Sequence, residues 1–199
     1  MKRLALVIAG AALLIAAPAI AQTPPTVVRG VVKTLGTDSV TLKGRDGKPI
    51  TVGLGKDWTV AVMKPISADA IQPGSFIGTA EMPQANGTGR SLEVHIFPPG
   101  VKMGEGHYDW NLRKGSMMTN GTVGKVVANK KGRELDVTYS TGTRHLVVPA
   151  KVPIVQITGG TREQIKPGVP VFLVAQPVTG GGLTTNNLSI GEGGKAPPM

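Results

Sequence analysis

No cysteine occurs anywhere in the 199 residues. That excludes disulfide stapling, thiolate metal ligands, a cysteine nucleophile and lipid attachment at a cysteine, so stability has to come from packing. Aromatic residues make up only 4 % of the chain, too few to build the repeated base-stacking platforms that single-stranded nucleic acids need. Acidic residues number 12 against 22 basic ones. Asp57, Glu93, Glu105 and Asp109 are the carboxylates available for paired acid/base work, and no motif brings two of them together. There is no Gly-x-Ser-x-Gly elbow, and neither Gly104-Glu105-Gly106 nor Gly180-Gly181-Gly182 stands between a strand and a helix as a phosphate loop must. No residue is assigned a catalytic role, and the expected activity is non-enzymatic.

One long apolar run is present, at the start. Lys2 and Arg3 precede an apolar stretch over residues 4–17, Pro18 breaks it, and Ala19-Ile20-Ala21 is a small-x-small cleavage site. This is the layout of a secretory signal peptide over residues 1–21, too short and too weakly flanked for a membrane anchor. The expected location is periplasmic or secreted, with no transmembrane anchor after cleavage. Removing Lys2 and Arg3 takes the formal charge from +10 to +8. The remaining basic residues are scattered, as on a solvated face, and imply no nucleic-acid partner.

Twenty-eight glycines and sixteen prolines suit many short strands joined by tight turns. After a flexible lead-in over 22–26, strand-like runs cover 27–35, 40–43, 50–54 and 58–62. Asp46-Gly47 marks a hairpin, because glycine accepts the positive φ of a tight β-turn. Ser67-Ala68-Asp69-Ala70-Ile71 reads as one helical turn capped by Ser67 and stopped at Pro73-Gly74. Strands over 75–81 and 91–97 close the series.

The second half repeats the order. Gly121-Thr122-Val123 answers Gly30-Val31-Val32. Ile165-Lys166-Pro167-Gly168 answers Ile71-Gln72-Pro73-Gly74, and Leu188-Ser189-Ile190 answers Leu92-Glu93-Val94. Thr161 to Gln164 has capping-box spacing. The spacing between partners drifts from 91 to 96 residues, which small loop insertions produce. The expected architecture is all-β: two tandem small OB-like β-barrel modules with one short helical turn each, over 27–97 and 120–190. An ordered connector over 98–119 joins them, and the Gly/Pro-rich segment 191–199 is expected to be a disordered tail.

The repeated Gly-x-Val start, the hairpin and Ile-x-Pro-Gly resemble a family of exported bacterial β-barrel proteins catalogued as a domain of unknown function. Glu93-Val94-His95-Ile96-Phe97-Pro98 and Gly104-Glu105-Gly106-His107 carry the most specific part of that likeness. Relatives often bear the automatic label of metal ABC transporter permease. A permease needs several membrane spans, and no apolar run after the signal could supply one. The resemblance implies a fold and a compartment, and supplies no catalytic residues.

The connector concentrates the rare residue types. Met103, His107, Met117 and Met118, with His95 on the preceding strand, are donors that suit a soft ion such as Cu(I), although Met103-x-x-x-His107 matches no established ligand spacing. They are the candidate metal site, the only cofactor the sequence suggests. The bland reading is gap-filling by Met117 and Met118. Tyr108 and Trp110, with His107, are the candidate interaction residues for an envelope protein or ligand. The rings form either an exposed recognition surface or a buried wedge that fixes the angle between barrels.

Overall fold

Short apolar alternations punctuated by glycine turns make the fold of the described residues all-β. A computed structural model describes residues 24–199; the expected signal and the first two residues of the lead-in lie outside the described residues. The strands are β1 (Thr26–Leu35), β2 (Ser39–Gly44), β3 (Pro49–Pro65), β4 (Phe76–Pro83), β5 (Gly89–Ser91), β6 (Val94–Ile96), β7 (Gly106–Trp110), β8 (Ser116–Asn129), β9 (Gly132–Tyr139), β10 (Gly142–Pro149), β11 (Ile154–Gly159), β12 (Pro170–Pro177) and β13 (Leu183–Gly191). Two 3-10 turns, Ala68–Ala70 and Arg162–Gln164, stand where the helical turns are expected. Ser67 Oγ accepts from the Asp69 N–H at 3.2 Å, and the Thr161 N–H donates to Gln164 Oε1 at 2.8 Å. The runs 50–54 and 58–62 belong to one strand, β3, which continues through Gly55-Lys56-Asp57 without turning. No helix among the described residues is long and apolar enough to cross a membrane.

The strands close into two five-membered rings. In the first, β2 lies between β1 and β3, β3 runs parallel to β13, and β12 closes the ring by pairing with β13 and β1. In the second, β9 lies between β8 and β10, β10 runs parallel to β5, and β4 pairs with β5 and β8. Each ring therefore takes three strands from one sequence repeat and two from the other. The expected modules over 27–97 and 120–190 are thus not hydrogen-bonded units. The hydrophobic cores tell the same story. Val28, Val32, Val40, Leu42 and Val52 pack with Ile165, Val171, Leu173, Leu188 and Ile190. Ile71, Ile77, Val94 and Ile96 pack with Val123, Leu135, Val137, Leu146 and Val148.

The crossing point is symmetric. The end of β3 runs antiparallel to β11, with Met63 opposite Ile157. Met63 and Ile157 hold the same place in the two repeats, as judged by Ile71 and Ile165 further on, so a pseudo-twofold axis passes between them. The same symmetry relates the parallel contact of Val94 with Ile154 to that of Leu188 with Val60. It also relates the irregularity between Val32 and Thr34 to that between Val123 and Lys125.

Two boundaries differ from expectation. The connector is not a loop over 98–119: it contains β7 and the head of β8, which begins at Ser116 because Ser116 to Asn120 pair with β7, and Met117 to Asn120 with β4 as well. Nor is 191–199 a free tail. Met199 is buried with Met63, Val155 and Phe172, and its carbonyl accepts from Arg29 Nε at 2.7 Å. The Gly/Pro composition hides one apolar anchor at the end of the segment.

Candidate functional site

The pseudo-symmetry shows which residues the fold does not require. In the first ring Ile50 faces Leu42 and in the second Arg144 faces Val137, so Arg144 stands where Ile50 would. Gly78 pairs with His95 as Phe172 pairs with Ser189; three residues along each strand, Glu81 stands where Ala175 would. Glu81 is fully buried. Arg144 Nε donates to its Oε1 at 2.8 Å, and the other guanidinium nitrogens donate to the carbonyls of Gly87 and Thr88 at 2.8 and 3.2 Å. His107 Nδ1 lies 3.8 Å from the same Oε1 and bonds Thr119 Oγ1 at 2.8 Å.

Glu81 Oε2 and Ser91 Oγ are buried without hydrogen-bond partners. Burial pushes the Glu81 carboxyl above its ordinary value, and the Arg144 charge pulls part of that back. A carboxyl raised in the fold contributes stability that is present below its unfolded value of about 4.3 and is lost as pH rises through the folded value. Denaturant titrations of Glu81→Gln and the parent should therefore diverge in the parent's disfavour as pH rises above about 4.3. Parallel pH profiles would show that Glu81 carries no such shift.

On the opposite face of β4 a second polar chain begins at Glu93. Its Oε1 accepts from the Ala80 N–H at 2.6 Å, where β4 passes from β5 to β6, and its Oε2 lies 3.0 Å from His95 Nδ1. Gly78 is needed here. A Cβ on it would stand 2.1 Å from both His95 Nε2 and Asn120 Oδ1, so only glycine leaves room for both side chains over the strand, and Asn120 Oδ1 is buried there without a hydrogen-bond partner. Asn120 Nδ2 donates to Gly104 O at 2.8 Å and to Tyr108 Oη at 2.9 Å, and Tyr108 in turn donates to Gly104 O at 3.1 Å. Burial holds the Tyr108 hydroxyl above its usual value, with the Asn120 bond opposing. Phe97 packs edge-on against both His95 and Phe76.

The five candidate metal donors do not converge. Adjacent residues of a strand point to opposite faces, which separates Met117 from Met118. Pairing puts His107 and Met117 on the Glu81 face, and Met118 on the face that carries Asn120. His95 belongs to that second face, over Gly78, and Met103 is 61 % exposed. Among the described residues no group of three His, Asp or Glu side chains is placed to hold a metal ion.

The interaction candidates separate by role. Trp110 is the wedge: its ring lies 6.1 Å from Phe172 of β12, with the Arg29 guanidinium against both rings at 5.7 and 5.4 Å. Burial, with some repulsion from Arg45, pulls the Arg29 guanidinium down to about 10, so it stays charged at neutral pH. Tyr108 and Asp109 are exposed, and His107 is half-buried, stacked on Tyr139. Burial, then the Arg144 charge, holds the His107 imidazole below its ordinary value. Among the described strands β7 alone pairs on one side only, with β8.

Three residues of these clusters escape the sequence reading: Glu81, Arg144 and Asn120. Glu93-x-His95 carried a legible signal, since two polar residues at i and i+2 between Val94 and Ile96 must share one face of a strand. No family model matches the chain, and neither does any curated protein or solved structure.

Proposed function

We propose that the chain is an exported, non-enzymatic interaction module of the cell envelope, built from two OB-like barrels that exchange their last two strands. The open edge of β7 carries the reading. The ring order, with the third strand parallel to the fifth and the first closed by the fourth, is that of OB barrels. The outer faces on which such barrels stack bases are bare of aromatics here. β2 and β3 present Thr41 and Thr51, 3.1 Å apart, and β9 and β10 present Asp136 and His145, 2.7 Å apart. A soft-metal role would need the methionines and histidines on one face, and strand alternation divides them.

The edge of β7 offers unpaired backbone groups beside an exposed tyrosine and aspartate, the combination that lets an extended segment add a strand. Capture from envelope extracts tests this. Asp109→Lys should lose at least about tenfold of the captured partner while its melting temperature stays close to the parent's, since exposed positions tolerate substitution. Trp110→Ala should instead lose stability. Capture undiminished by the first variant would refute the β7 reading.

A further inference from the structure

The segment Gly106-His107-Tyr108-Asp109-Trp110 is complementary to its own reverse, and from this we infer that the β7 edge pairs with β7 of a second copy of this chain, antiparallel and centred on Tyr108. That inference rests on the reading of β7 as the interaction edge. Antiparallel pairing centred on Tyr108 sets His107 opposite Asp109 of the other copy, and Asp109 opposite its His107. The His107 imidazole can donate a ring N–H across the strand pair to that carboxylate, whereas two carboxylates set opposite each other would repel. It also sets Trp110 opposite Gly106, so the bulkiest side chain of the strand meets the one residue that has none.

The molecule leaves the edge available. β8 fills one side of β7 through five paired residues, Gly106 with Asn120 through Trp110 with Ser116, and among the described residues no backbone hydrogen bond from another segment occupies the far side. Tyr108 and Asp109 are exposed. Asp109 is the only charged residue on the strand, and Asp109 is the charge that the second copy's His107 answers. Edge strands are ordinarily kept from self-pairing by proline, lysine or a bulge; β7 has none of these. A five-residue strand pair is a small interface, so the association is a weak, concentration-dependent one.

The absence of cysteine makes the register directly readable. Residues directly opposite in an antiparallel pair have Cα atoms roughly 4.5–5.5 Å apart, within the range a disulfide spans. Tyr108→Cys should oxidise to a covalent dimer. Val127→Cys, at a 41 % exposed position on β8 away from the edge, should stay monomeric under the same conditions. The parent's sedimentation should approach twice the monomer mass as concentration rises. Asp109→Lys should weaken that association at least about tenfold, with melting unchanged, by replacing the carboxylate that accepts from the opposite His107 with an ammonium that cannot accept. Equal cross-linking at both cysteines, or a parent that stays monomeric at every concentration, overturns the pairing. A monomeric parent that still shows Asp109-dependent envelope capture overturns self-pairing and leaves the interaction reading standing.

Discussion

Arg144→Ile should lower stability by about 3–5 kcal/mol near neutral pH, the usual consequence of stranding a buried charge by removing its partner. Adding Glu81→Ala should restore most of that loss. The first ring supplies the reason, because it holds Ile50 and Ala175 at the corresponding positions inside an apolar core. Two rings with one set of strand pairings show that isoleucine and alanine satisfy the geometry. Urea titrations of the parent, both single variants and the double variant measure the coupling between the two sites. A single Arg144→Ile loss below about 1 kcal/mol, or a double variant no better than the single one, would mean that the pair does not act as a unit.

The same pair bears on which strands go where. If each repeat closed its own barrel, Glu81 would share a ring with Ile50, and Arg144 would share one with Ala175. Both charges would then be buried without partners. Only the exchanged arrangement brings carboxylate and guanidinium within 2.8 Å. A buried ion pair is a poor source of net stability but a strong penalty against the arrangement that separates it. Glu81 and Arg144 therefore discriminate between two foldings of one apolar pattern. This assigns the charged end of the second barrel a topological role and leaves the β7 edge as the feature that the fold itself does not explain.

That degeneracy is why the sequence reveals the repeats and not the exchange. Alternation tells which face of a strand is buried, and Val171-Phe172-Leu173 fits either ring because both rings present valines and leucines to it. The Ile-x-Pro-Gly landmarks place Ile71 and Ile165 at the start of the exchanged arms, yet nothing local states which core each enters. Glu81 and Arg144 lie 63 residues apart, with no spacing rule to join them. Glu93-x-His95 was readable because its logic is local. The split of Met117 from Met118 was readable too, once 116–120 is taken as strand; treating it as connector hid the alternation. Tyr108 and Trp110 look alike in sequence and differ only through what lies beside them: Phe172 and Arg29 cover Trp110, and no strand lies beyond Tyr108.

Opening the backbone between Gly100 and Val101 should leave one folded particle. The two halves are held together by β1 with β12, β3 with β11 and β13, β5 with β10, and β4 with β8, so the segment that joins them carries little of the structure. Gly100 and Val101 lie outside every strand, where an engineered protease site is best tolerated. After cleavage both fragments should co-elute at the parent's volume and melt in one cooperative transition. Separated in denaturant and refolded apart, neither should recover the parent's β signal, because each retains three strands of one ring and two of the other, with both cores open. Mixing should recover it. A fragment that refolded alone as a monomer with its own sharp transition would show that a repeat can close its own barrel, and would remove the basis for a discriminating role of Glu81 and Arg144.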